Sequence, residues 1–130
     1  MRTMADSEAP VHDPIEEGLR LFNEGYFFEA HEVLEDVWHR ERGEPRLFLQ
    51  GLIQVCAGFH HYQSGNLRGA MALLARGIEK IRRYPERYLG FDTRRLVSDL
   101  EDARRRIERV QGTPGAATLE FPLLRRMAGP

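Results

Sequence analysis

Two short stretches carry the side chains suited to chemistry. His31 and Glu35 stand four residues apart, so on a helix the imidazole and the carboxylate share one side, where they hydrogen-bond each other or jointly hold a metal ion. With His31 as base and Glu35 orienting it, the pair suits proton transfer. Further on, Gln50, Gln54 and His61 fall within about 40° of one another at roughly 100° per residue. Nearly everything else in that segment is apolar, so the five residues together read as a buried polar stripe between two helices. Buried amides and imidazoles cost several kcal/mol unless they find partners.

Two uses of such a stripe remain open. One is a satisfied hydrogen-bond network that fixes how two helices pair. The other is a pocket in which Trp38, Gln50, Gln54 and His61 hold a small ligand beside the catalytic candidates His31 and Glu35. A metal site is the weaker alternative. His31, Glu35 and His61 would supply three ligands and an open position, but glutamines are poor ligands and no second carboxylate stands at the right spacing. His31-Glu32 begins like the H-E-x-x-H motif of zinc proteases. Its fifth position is Glu35 instead of histidine, so the protease reading is rejected.

The remaining candidates offer less. His60 points away from the stripe toward Leu49 and Ile53, as a core or partner contact, while His39 and His12 read as solvent-facing. Cys56 in an apolar helix reads as inert packing. The chain has no G-x-S-x-G, no phosphate-binding glycine loop and no paired CxxC, so hydrolase, nucleotide-binding and zinc-finger classes gain no support. No motif names a cofactor.

Five helices position these residues. Asp13-Pro14 is an N-cap and first-turn pair, and Ile15, Leu19 and Phe22 share one face before Gly25. Phe27, Ala30, Leu34, Val37 and Trp38 mark a second helix to about Arg42. From Leu47 to about Ser64 the chain is apolar on nearly every side, which predicts a helix surrounded by others. Leu67 to Arg83 is the fourth, stopped by Pro85, and residues 84–92 read as an irregular link. The fifth, Thr93 to Gln111, has the cleanest stripe, Leu96, Leu100, Ala103, Ile107 and Val110, with arginines outside it. Pro122 argues against more helix, so Phe121, Leu123 and Leu124 predict an extended strap. The expected layout is a flexible arm over 1–12, a helical bundle over 13–111 and an extended tail over 112–130.

At 130 residues the chain suits one domain. Hydrophobic residues make up 42% and charged residues 30%, the balance of a globular protein. A single cysteine and no apolar leader make the reducing cytoplasm the expected address, and no stretch is long and apolar enough to span a bilayer. Residues 1–75 hold 6 Lys/Arg against 12 Asp/Glu and residues 76–109 hold 11 against 7. Acidic residues are interspersed in that second part, so a solvated surface is favoured over a nucleic-acid face. A small molecule or a protein remains as partner, and a regular seam on the fifth helix or an exposed hairpin end would support a homodimer.

Compared with itself at an offset of 40 residues, the chain aligns Gly18, Phe22, Gly25, Ala30 and Leu34 with Gly58, Tyr62, Gly65, Ala70 and Leu74. A small residue, an aromatic, a turn glycine and two apolar contacts recur in order. The pattern is similar to tetratricopeptide repeats, but the period exceeds their usual length of about 34. A compact all-α bundle of two related hairpins is therefore expected.

The runs FNEGYFFEAHEVLEDVW at 22–38, LQGLIQVCAGFHHYQSGN at 49–66 and GAMALL at 69–74 together resemble the family catalogued as domain of unknown function 309, across roughly residues 14–83. The resemblance implies a small all-helical bundle of bacteria, archaea and plastids and leaves the activity open, including whether there is one. The family's characteristic polar positions map onto His31, Glu32, Glu35, Trp38, Gln50, Gln54, His60 and His61.

Overall fold

The computed structural model describes residues 13–111 and 120–126. The expected arm over 1–12 with His12, and the tail segments 112–119 and 127–130, lie outside the described residues. Among those described, five helices follow in order: α1 (Pro14–Asn23), α2 (Phe27–Arg40), α3 (Pro45–Gln63), α4 (Leu67–Ile81) and α5 (Thr93–Val110). Their ends agree with the sequence reading to within two residues, the range over which helix termini fray. The fold is all-α, with consecutive helices packed on one another and a two-stranded hairpin before α5.

Two related hairpins, α1–α2 and α3–α4, build the bundle. Gly25 and Gly65 sit at φ +90° and +85°, left-handed conformations that cost glycine nothing and other residues about 1 kcal/mol or more. The same backbone bonds recur around them: Gly25 N–H to Phe22 O at 2.9 Å and Gly65 N–H to Tyr62 O at 3.0 Å, then Ala30 N–H to Tyr26 O at 2.9 Å and Ala70 N–H to Asn66 O at 3.0 Å. Contacts repeat too. A Cβ on Gly18 would meet Leu34 at 2.8 Å, and one on Gly58 would meet Leu74 at 3.1 Å. The 40-residue self-similarity is therefore a repeat of packing as well as of residue type.

The core joins Phe22, Phe27, Phe48, Phe59 and Phe91 with Leu34, Leu52, Leu74, Ile81, Leu100 and Ile107. Residues 84–92 are more ordered than an irregular link. Arg87–Tyr88 pairs antiparallel with Phe91–Asp92, and Leu89 and Gly90 between them have φ of 50° and 84°, the two positive values that a tight two-residue hairpin turn requires. Leucine at such a position gives no sequence signal for a hairpin.

Tyr84 caps α3 from a distance. Its hydroxyl donates to Glu44 O at 2.6 Å and accepts from Phe48 N–H at 3.0 Å, where the helix has no side-chain N-cap of its own. Residues 120–126 form neither helix nor strand and lie as a strap over the bundle. Phe121 packs against Phe27, Phe59 and Tyr62, and Asn23 holds Leu124 by both backbone groups, at 2.9 and 2.8 Å. Arg126 closes the strap with bonds to Asp13, Glu16 and Leu89 O.

Candidate functional site

The proposed stripe lies along the seam between α2 and α3. These helices run antiparallel, as Phe27 meets Phe59 and Phe28 meets His60 at one end, with ring centroids 5.4 and 5.3 Å apart. At the other end the Arg46 guanidinium sits 3.8 Å over the Trp38 ring, a cation–π contact. That register sets His31 level with Gln54 and Glu35 level with Gln50.

Their burial was overestimated. His31, Glu35, Gln50, Gln54 and His61 are all only half-buried, and the side chains of His31 and Glu35 are 24% and 43% exposed. The buried polar residue found among those described is Thr93, whose hydroxyl donates to Pro85 O at 2.7 Å. The stripe differs because α3 is not surrounded on all sides. Gly51 and Gly58 face α4, where an added Cβ would come within 3.0 Å of Gly77 O and 3.1 Å of Leu74 Cγ. These small residues admit the backbone of α4. Gln50, Gln54, Ala57 and His61 fall on the side left between α2 and α4, within about 60° of one another.

His31 Nε2 lies 3.8 Å from Glu35 Oε2, beyond hydrogen-bonding distance. His61 turns to the α3–α4 loop, its Nδ1 3.2 Å from Asn66 Nδ2. Among the described residues no three His, Cys, Asp or Glu side chains converge as a metal-binding group, so His61 does not join His31 and Glu35 in one. His60 is half-buried against Phe28, and His39 is exposed. Cys56 is fully buried, and burial pushes its thiol up to about 12.

Three polar atoms of the seam are the unusual feature. His31 Nδ1, Trp38 Nε1 and Gln54 Oε1 are buried with no hydrogen-bond partner among the described residues, a state that costs about 1–3 kcal/mol each. A closed structural network would have paired them. The larger cavities lie elsewhere. One of about 690 Å³ opens between α4 and α5 at Arg82, Glu101 and Arg105, and one of about 460 Å³ adjoins the end of the seam at Tyr26, Phe28 and His60.

Residues 15–73 match the family described as domain of unknown function (DUF309). This span is a DUF309 domain. It contains α1, α2, α3 and the first half of α4, hence the whole seam. Two uncharacterized proteins are similar to the chain. One, from Aquifex aeolicus (strain VF5), is 26% identical over 89 residues, 68% of this chain and 27% of that protein. The other, YpuF of Bacillus subtilis (strain 168), is 30% identical over 87 residues, 65% of this chain and 50% of that protein. The chain thus spans about a quarter and a half of the lengths of these relatives.

The sequence reading missed the aromatic edge of the DUF309 seam. Tyr26 and Phe28 are 53% and 47% exposed, and Phe28 stacks on His31 with centroids 6.0 Å apart. Phasing gave a usable signal, since Phe28 lies about 100° from Phe27 and off the apolar stripe.

Proposed function

We propose that the α2/α3 face is a protein-contact surface and that the chain is a noncatalytic helical-hairpin interaction module. The observation that carries this reading is the exposed aromatic pair at the end of the seam, Tyr26 and Phe28, 53% and 47% exposed. His31 Nδ1, Trp38 Nε1 and Gln54 Oε1 lie unpaired beneath this face, so the seam is not a closed hydrogen-bond network. Exposed Phe28 and Tyr26 add the aromatic contact area that interfaces favour. A small-ligand or proton-transfer site with His31 as base has narrower support, the 3.8 Å approach of Glu35 to His31. A reducing cytoplasm remains the proposed location, in keeping with a single buried thiol.

A photo-crosslinking residue at Phe28, in cells, tests the contact surface against the same residue at Arg106 on the outer side of α5. Discrete protein adducts from the first position and none from the second are expected. Equal labelling, or none at either position, refutes the reading.

A further inference from the structure

We propose that the partner at this surface is a protein presenting a basic segment, one arginine of which stacks on the Phe28 ring and bonds the carboxylates of Glu29 and Glu32. The proposal rests on the contact-surface reading above and adds the chemistry of the occupant.

The first argument is the ring left uncovered. Exposed Tyr26 and Phe28 flank an opening of about 460 Å³ whose wall also includes Glu29, His60 and Gln63. Gln63 fixes that wall, since its Nε2 donates to Gly25 O at 3.1 Å and ties the α1–α2 turn to the end of α3. The Phe28 ring is held in place by His31 and His60, at centroid distances of 6.0 and 5.3 Å, yet remains open to an incoming side chain.

The second argument is charge. Elsewhere the protein pairs carboxylates with an arginine four residues away, as in Arg20–Glu24, Arg83–Glu79, Arg95–Asp99 and Arg106–Asp102. On α2 the ion pair is His31–Glu35, and exposed Glu29, Glu32 and Asp36 have no ion-pair partner among the described residues. Glu32, Glu35 and Asp36 follow Phe28 by one and two turns within about 100° of arc, so the ring opens onto a strip of negative charge. Glu29, in the first turn, offsets the positive end of the α2 dipole. The complement of such a strip is a cation.

The third argument is the other end of the same seam. There the Arg46 guanidinium lies 3.8 Å over the Trp38 ring while its Nε donates to Glu41 O at 3.0 Å. One guanidinium thus covers a ring and bonds an acceptor together. Phe28 offers the same combination, a ring with carboxylates one residue and one turn further on, but no cation lies over it among the described residues. Guanidinium suits the position better than ammonium, because its plane stacks on an aromatic face while its edge bonds a carboxylate.

Proton–nitrogen NMR of the full ¹⁵N-labelled chain, titrated to about 10 mM with the peptide acetyl-Arg-Ala-Ala-Arg-amide, tests the chemistry. Shifts confined to the amides around Tyr26, Phe28, Glu29 and Glu32 are expected. Phe28→Leu and Glu32→Gln should each weaken binding by about two- to fivefold, whereas Glu108→Gln, at an exposed site on α5, should leave it unaltered. The proposal is overturned by an absence of shifts, by binding indifferent to both α2 substitutions, or by a glutamate peptide of the same length that shifts the same amides equally. The linkage sites from the in-cell Phe28 experiment separate this proposal from the reading beneath it. Linkage within a basic segment of another protein, lowered about tenfold by Glu32→Arg, supports it. Linkage to neutral or acidic segments of another protein, or a yield that Glu32→Arg leaves unchanged, overturns it while leaving the contact surface standing. Linkage to this chain's own residues, or no linkage at all, overturns both.

Discussion

Gly77→Ala offers a sharp test of the packing that positions the seam. In an isolated helix the change stabilises by about 1 kcal/mol, because alanine restricts the unfolded chain and favours helix. Here the new methyl would lie 2.7 Å from Gly51 O, 2.9 Å from Val55 Cγ2 and 3.3 Å from Val55 N. Two of these three atoms are α3 backbone, held in that helix's own hydrogen-bond ladder, so no rotamer change relieves the overlap. The helices must part by several tenths of an ångström. Overpacking of this kind costs about 1–3 kcal/mol. Subtracting the propensity gain leaves a net loss of roughly 1 kcal/mol, with 2 as the upper end.

At a urea m-value of about 1–3 kcal/mol/M, the midpoint should fall by roughly 0.5–1 M with the slope unchanged. Gly51→Ala, whose closest obstacle is Gly77 O at 3.0 Å, should lose less. Gly18→Ala, whose Cβ would lie 2.8 Å from both Cγ and Cδ2 of the fully buried Leu34, should also lose more than Gly51→Ala. Urea titrations followed by circular dichroism rank the three. A Gly77→Ala midpoint equal to or above that of the parent refutes the reasoning, because α3 and α4 would then have room to spare.

Tyr84→Phe removes the hydroxyl serving Glu44 O and Phe48 N–H, and should cost about 1–2 kcal/mol while speeding hydrogen exchange at the Phe48 amide. His31→Ala should change stability by less than about 1 kcal/mol, since it removes an unpaired Nδ1 along with a Phe28 contact; a loss of about 3 would instead indicate a closed network. Cys56 should resist a thiol reagent until the chain unfolds, given its burial and a thiol pushed up to about 12; rapid native labelling would contradict that. At Asp13, partial burial acts to raise the carboxyl, but bonds from Arg126 and the Glu16 and Ile15 amides outweigh it and hold the group below 3.8. A depressed carboxylate stabilises above its unfolded value and ceases to as pH falls through its folded one. Asp13→Asn should therefore melt lower than the parent at neutral pH, with the gap closing as pH falls through the lowered folded value; a gap independent of pH would exclude this linkage.

The helices were legible because each is written in local terms. Periodic leucines and aromatics, Asp13-Pro14 and the paired Gly25 and Gly65 state where helices run and turn, and the offset of 40 exposed the hairpin repeat. Helical phase also placed His31 and Gln54 on the same seam. What phase could not give was depth. The apolar composition of α3 predicted neighbours all round, whereas α2 and α4 leave one side of it uncovered, so Gln50 and Gln54 are only half-buried, against expectation. The devices that hold distant segments were equally hidden. Tyr84 lies 36 residues from the amide it caps, Asn23 lies 101 from Leu124, and Leu89 turns a hairpin without a turn residue's signature. Each depends on where the chain returns in space, which no local pattern records.

The strap bears on how the domain should be prepared and compared. The family match ends at residue 73, inside α4, yet Phe27, Phe59 and Tyr62 are packed by Phe121, and Tyr84 secures the start of α3. The unit recognised by similarity and the unit that folds are therefore different lengths of chain. A fragment cut to residues 15–73 would bare aromatic rings that the strap encloses, and its aggregation would say nothing about the seam. Relatives of greater length need a counterpart to Phe121 and Leu124 well beyond the matched span, in a stretch that similarity searches would pass over. Finding that counterpart is a structural question about ring packing, and it would distinguish relatives that share this folded unit from those that share only its first three helices.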